Sequence, residues 1–247
     1  MHKIIIVGAG FAGLQTAKRL ANSSLDITII DKRNYHLFQP LLYQVATAGL
    51  SPADIALPIR SIFRSQQNLK VILDELIAIN PDLNKITTRN NAYFYDSLVL
   101  ATGSELSYFG HDQWKNFTPG LKNIEDATFI RGKILKSFEK AERTKNKKEI
   151  GKLMKFVIIG GGPTGVEMAG AIAELSKKVL IKEFATIDTN AAKIILLEAG
   201  SRILSTASHS LSIYAENTLE KLGVEVHCNT IVQNISENLV LTNNETI

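Results

Sequence analysis

Residues 4–13 read Ile4-Ile5-Ile6-Val7-Gly8-Ala9-Gly10-Phe11-Ala12-Gly13, and residues 27–31 read Ile27-Thr28-Ile29-Ile30-Asp31. The apolar run Ile4 to Val7 suits a strand buried on both faces. A glycine turn follows it, then a helix with Leu14, Ala17 and Leu20 or Ala21 on one face. The strand Ile27 to Ile30 comes next and ends on an acid. Strand, helix and strand within about 30 residues predict a βαβ unit on a parallel sheet. In the turn, Gly8 permits the tight bend, Gly10 lets a phosphate approach the backbone, and Gly13 allows close helix-strand packing. Asp31, 23 residues after Gly8, is placed to accept hydrogen bonds from ribose hydroxyls. The register of all these parts predicts a dinucleotide site, with Phe11 and Ala12 in its turn. A purely structural turn is the alternative.

The pattern occurs twice. Gly160-Gly161-Gly162-Pro163-Thr164-Gly165 follows the apolar strand Phe156 to Ile159, and Glu198 ends the next strand, Lys193 to Leu197. A carboxylate at Glu198 opposes a 2′-phosphate, since like charges about 4 Å apart cost about 1 kcal/mol in water. NAD is therefore favoured over NADP, although Arg202 stands close enough in sequence to reach such a phosphate. Two nucleotide folds about 150 residues apart suggest one site for a tightly held flavin and one for a nicotinamide donor.

Working outward from the two turns, residues 34–53 hold no Asp, Glu, Lys or Arg but include His36, Gln39, Pro40, Gln44 and Pro52. A short strand, Ser97 to Ala101, stops at Thr102-Gly103. Asp126 is placed to cap the next helix, whose apolar face is Ile130, Ile134, Phe138 and Ala141. Arg143 to Lys155 is charge-dense, a linker or an exposed helix end, and the domain boundary is expected near it. The organisation expected is α/β: two Rossmann-like dinucleotide-binding folds, 1–125 and 156–247, with 126–155 as connecting helix and basic linker. Residues 176–192 lengthen the second unit and predict a surface excursion. Leu211, Tyr214, Ala215 and Leu222 sketch an amphipathic helix ending at Gly223. Val224, Val226 and Cys228 then alternate as in a half-buried strand, and Asn243-Asn244 suggests a turn.

The chain has 247 residues, 45% apolar and 21% charged, enough to bury a core. Its formal charge of +4 is local: residues 131–155 hold ten Lys or Arg against three Glu, leaving the remainder at −3. That is no nucleic-acid signature; a solvated face explains it better than contact with anionic lipid. The single cysteine, Cys228, provides no redox pair or zinc cluster and is expected to be buried; the five histidines show no metal-ligand spacing. A reducing compartment is expected. The early glycines argue against a signal peptide, and no stretch is apolar for the ~18 residues that a membrane-spanning helix needs.

The segment Tyr35-His-Leu-Phe-Gln-Pro-Leu-Leu-Tyr-Gln-Val-Ala-Thr47, with Gly160-Gly-Gly-Pro-Thr-Gly-Val-Glu-Met-Ala-Gly170, closely resembles the type II NADH:quinone oxidoreductases. Leu100-Ala-Thr-Gly103, Phe138-Glu-Lys-Ala-Glu142 and Leu197-Glu-Ala-Gly-Ser-Arg-Ile-Leu204 extend the likeness over nearly the whole chain. The resemblance implies a single-subunit, FAD-dependent enzyme passing two electrons from NADH to a quinone, ubiquinone or menaquinone, without pumping protons. It further implies peripheral attachment to the cytoplasmic face of the inner membrane, through C-terminal segments not in this chain, and allows a homodimer.

By motif, Gly8, Gly10, Phe11, Ala12, Gly13, Asp31 and Lys32 would hold FAD, with Ala101, Thr102 and Gly103 beside the flavin. Gln44 would border its ring with Gln39, Pro40 and Thr47, the alternative being a buried loop. Gly160, Gly162, Pro163, Thr164, Gly165 and Glu198 would hold NADH. Glu167 would relay a proton near nicotinamide and flavin; its alternative role is an acid stabilised by the helix dipole. One cysteine disfavours a disulfide reductase or a sulfide:quinone reductase. A ferredoxin or rubredoxin reductase is the enzymatic alternative. Family members continue well past the point matching Ile247, so impaired FAD retention and no quinone reduction are expected of these residues alone.

Overall fold

The computed structural model describes every residue from Met1 to Ile247. By internal contact the chain forms two compact units, Met1–Phe38 with Pro52–Glu105, and Gln39–Ser51 with Leu106–Ile247. The uncharged stretch is thus shared out: its middle belongs to the second unit, although first-unit chain flanks it on both sides.

The first unit is built on a four-stranded parallel sheet, in the order Leu69–Leu73, Asp26–Asp31, Lys3–Val7, Ser97–Leu100. Ile6, Ile27 and Ile29 are fully buried beneath helix Phe11–Arg19, whose Leu14 and Ala17 face them. Burying an isoleucine side chain contributes about 1.5–3 kcal/mol, so these three account for much of the drive that docks the helix. A three-stranded antiparallel sheet, Leu76–Asn80, Lys85–Thr88 and Ala92–Phe94, carries the chain from Leu73 to Ser97. The parallel strand order turns back at Lys3–Val7, which has a neighbour on each side. Such a switch point opens a crevice at the carboxyl ends of the strands.

The second unit repeats the opening half of that plan. Lys155–Ile159, Lys193–Leu197 and Val224–His227 pair in parallel, in chain order. Helix Pro163–Glu174 crosses between the first two strands and helix His209–Lys221 between the last two. Helix Ile124–Arg143 packs with the short helix Leu42–Ala46, burying Ala127, Ile134, Phe138 and Ala141. A terminal hairpin, Val232–Ser236 with Leu239–Thr242, follows.

Two expectations need correction, the helix cap at Asp126 and the apolar face drawn through Leu211 and Tyr214. The cap of helix Ile124–Arg143 is Asn123, not Asp126; Asp126 is its third residue and closes a reciprocal capping box, with Asp126 N to Asn123 Oδ1 at 2.7 Å. Within the basic stretch, Lys147–Leu153 is a helix with no buried residue, capped by Asn146. Residues 176–192 are the expected surface excursion, mostly exposed; a π-helical turn at Leu175–Val179 opens it, and Ser176, Leu180, Ile187, Thr189 and Ala192 are the positions buried against the body. Lastly, Leu211 and Tyr214 face solvent, while Ser212 and Leu219 are buried. The Ser212 hydroxyl donates to the Ile203 carbonyl at 2.7 Å, so a satisfied polar group occupies the inner face of that helix.

Candidate functional site: two uncapped helix N-termini

Both glycine turns connect a parallel strand to a helix N-terminus with the same local bonds. Gly8 N donates to Ile30 O at 2.8 Å, and Gly160 N donates to Leu197 O at 2.8 Å. Gly8 and Gly160 have φ of 100° and 103°, a left-handed region that disfavours any side chain. A Cβ on Gly13 would run into the Gly8 carbonyl oxygen, and one on Gly165 into that of Gly160. By contrast, a Cβ on Gly10 or on Gly162 would meet nothing within 4 Å. The first and last glycines of each motif are therefore demanded by the protein itself, the first by its backbone conformation and the last by packing. The middle glycine keeps open a space that the protein does not use.

The acids complete the repeat. One Asp31 oxygen accepts from Ala9 N at 2.6 Å and the other from Arg33 N at 2.7 Å. One Glu198 oxygen accepts from Gly161 N at 2.6 Å and the other from Gly200 N at 2.6 Å. In both, a carboxylate at the end of the second strand grips the second residue of the turn and the amide two residues after itself. Carboxylate oxygens have further lone pairs, so ribose hydroxyls can still donate to them.

The helix ends show what is missing. Helices Ile124–Arg143, Lys147–Leu153 and His209–Lys221 are capped by the side chains of Asn123, Asn146 and Ser208. The two turn helices begin at Gly10 and Gly162, which have no capping side chain. Their first intrahelical bonds are given by Leu14 to Gly10 O (2.9 Å) and by Val166 to Gly162 O (3.0 Å). The amides of Phe11, Ala12 and Gly13, and those of Thr164 and Gly165, precede these bonds. Orphan donors at the positive end of a helix dipole suit an anion such as a pyrophosphate. This cradle fits a dinucleotide at each turn.

Other expected residues fall out as follows. Ala101 is packed beside the first turn: a Cβ on Gly8 would strike its carbonyl, and Ala101 N donates to Val7 O at 2.8 Å. Thr102 and Gly103 are exposed next to it. Lys32 is exposed; Gln44 sits on helix Leu42–Ala46 of the second unit and donates to the Tyr43 hydroxyl at 3.0 Å. Arg202 is committed elsewhere: its guanidinium donates to the carbonyls of Leu204, Ser205 and Ala207, holding the loop beyond Glu198 rather than awaiting a phosphate. Cys228 is half-buried instead of buried, and burial followed by the nearby Glu216 carboxylate pushes its thiol up.

Glu167 is the fifth residue of its helix, beyond the first turn where a dipole acts most strongly. Partial burial pushes its carboxyl above the ordinary value of 4.5. Its surface exposure keeps it in exchange with water. A cleft of about 620 Å³ in the first unit, beside Ser23, Gln66 and Asn68, lies at the amino ends of the parallel strands. Ligands of such sheets bind at the opposite, carboxyl ends, where the turns lie.

The model of the pyridine nucleotide-disulphide oxidoreductase family matches residues 2–247. The chain belongs to that family. With its single cysteine this family member can form no disulfide pair within these residues. It is 44% identical over 235 residues to the type II NADH:quinone oxidoreductase NdhA of Mycobacterium tuberculosis, covering 94% of this chain and 50% of that protein. It is 42% identical over 241 residues to Ndh of the same organism, covering 96% and 52%. Among solved structures, NDH2 from Plasmodium falciparum in complex with NADH superposes with a TM-score of 0.88 at 27% identity, covering 100% of this chain and 52% of that one. The chain thus spans about half the length of the relatives it matches.

Proposed function

We propose that the turn at Gly8–Gly13 holds FAD, that the turn at Gly160–Gly165 holds NADH, and that the whole protein passes two electrons from NADH to a membrane quinone. The observation that carries this reading is the pair of uncapped helix N-termini, each answered by a carboxylate. The family relationship supports it, and the names of the Mycobacterium relatives supply the quinone. A bound flavin supplies the chemistry that links a two-electron donor to a quinone.

This reading gives the chain's own residues distinct roles. Amides of Phe11, Ala12 and Gly13 bind one pyrophosphate, with Asp31 on its ribose; amides of Thr164 and Gly165 bind the other, with Glu198 on its ribose. Ala101, Thr102 and Gly103 border the first cofactor, and Lys32 contributes to its binding. Glu167, raised by burial yet reached by water, holds a proton near its carboxylate for delivery to the quinone. In this reading 1–125 serve FAD, 126–155 connect, and 156–247 serve NADH. The protein works at the cytoplasmic face of the inner membrane, docked by segments outside these residues, and a dimer is compatible with that. No helix here is long and apolar enough to cross a membrane.

The test is steady-state turnover of the full-length protein with a short-chain quinone, and separately with an iron-sulfur acceptor, using NADH and NADPH in turn. Fast quinone reduction that prefers NADH is expected. Equal efficiency with NADPH would refute the role given to Glu198, and reduction of the iron-sulfur acceptor alone would refute the quinone.

A further inference from the structure

The two turns are held by a second bond that the sequence motif does not contain. In the second turn, Gly161 O accepts from Leu204 N at 2.7 Å; in the first, Ala9 O lies 2.8 Å from His36 Nδ1. The second residue of each turn is therefore gripped twice, its N–H by the acid and its C=O by a donor five or six residues beyond that acid. Leu204 reaches its place in a left-handed conformation, φ 48°, and uses its backbone. His36 uses its side chain.

That bond fixes more than Ala9. In a trans peptide the C=O and the following N–H point in opposite directions. Holding the Ala9 carbonyl toward His36 turns the Gly10 N–H the other way, at a residue where even a Cβ would meet no protein atom within 4 Å. Gly10 N has no acceptor in the chain. His36 is only 7% exposed, and its ring meets that of Phe11 edge-on at 5.3 Å, so it has little freedom to turn. A carbonyl only accepts, so Nδ1 carries the proton.

We propose that His36 is a positioning residue that aims the Gly10 amide at the anionic group bound in the first turn, a phosphate oxygen of the dinucleotide. This rests on the assignment of FAD to that turn. The second turn does the same work without an ionisable group, so the two sites differ in their sensitivity to this one side chain.

The experiment measures FAD and NADH affinities of the full-length protein and its His36→Phe and His36→Asn variants. Phenylalanine keeps a ring against Phe11 and removes the donor; asparagine restores an N–H two bonds from Cβ, where Nδ1 stands. Loss of one net hydrogen bond predicts about tenfold weaker FAD binding in His36→Phe. NADH affinity should be unchanged, and His36→Asn should recover most of the loss. The ³¹P resonances of bound FAD should shift in His36→Phe and return in His36→Asn. Equal FAD affinity in wild type and His36→Phe would overturn the proposal, as would a loss that asparagine fails to rescue. Should His36→Phe not fold, ¹⁵N spectra of the wild type decide: an unprotonated Nδ1 in the neutral ring overturns it. A wild-type protein that binds no FAD would instead defeat the assignment of the turn.

Discussion

At the residue scale the three glycines of each turn do different work, and the difference is measurable. Gly13 leaves no room for a methyl group because the Gly8 carbonyl occupies its place. Gly13→Ala should lower stability by about 1–3 kcal/mol, the usual cost of overpacking. Gly10→Ala meets no protein atom, so its melting temperature should stay close to wild type while FAD affinity falls. Thermal melts with flavin titrations check both; equal effects at the two positions would contradict the division of roles. Glu167 makes a pH-dependent prediction. A carboxyl raised by burial contributes stability that is fully present below its unfolded pKa and declines as pH rises through the folded one. Glu167→Gln removes that decline. The variant should match wild type near pH 4 and be slightly more stable above neutrality, yet lose quinone turnover in the full-length protein. A variant with full turnover would exclude the proton role.

At the element scale, helix Ile124–Arg143 is fixed at both ends by carboxylates and amides. Asn123→Ala breaks the capping box and should cost about 1 kcal/mol, read from denaturant unfolding. At the other end, Glu142 accepts from the consecutive amides of Ala185, Thr186 and Ile187 at 3.0–3.2 Å. Desolvation works against that carboxylate, but the bonds from Thr186, Ala185 and Ile187 outweigh it and hold its pKa below 4.5. Its stabilising effect is thus present above the unfolded carboxyl pKa and is lost as pH falls through the depressed one. Glu142→Ala should speed amide hydrogen exchange at Ala185–Ile187 near neutral pH; unchanged exchange there would show that the segment is held by packing alone.

These elements also show what sequence can and cannot reveal. The turns were legible because every part of them is consecutive: strand, glycines, helix, strand, acid. Residue spacing carries that information in full. Asn123 was missed because Asp126 is also a good cap, and only a three-residue difference in helix phase separates the two. Apolar counting chose Leu211 and Tyr214, since a serine that buries itself by bonding to Ile203 O looks like a surface residue. Residues 185–187 of the excursion are tied back by Glu142, a partner more than forty positions away in sequence that spacing does not reveal. His36 could have been singled out only as a polar group in an uncharged stretch; its acceptor is a backbone carbonyl, which no sequence motif displays.

For the whole molecule, the proposed reading gives the two uncapped glycine turns complementary tasks, one retaining a flavin and the other its electron donor. Glu198 and the commitment of Arg202 to backbone carbonyls both favour NADH as that donor. The most direct measurement is an anaerobic titration of the full-length protein with NADH, followed through its visible flavin absorption. The account predicts a stoichiometric flavin band that one equivalent of NADH bleaches and a quinone analogue restores. A purified protein without flavin absorption, or a flavin that NADH leaves oxidised, would contradict it.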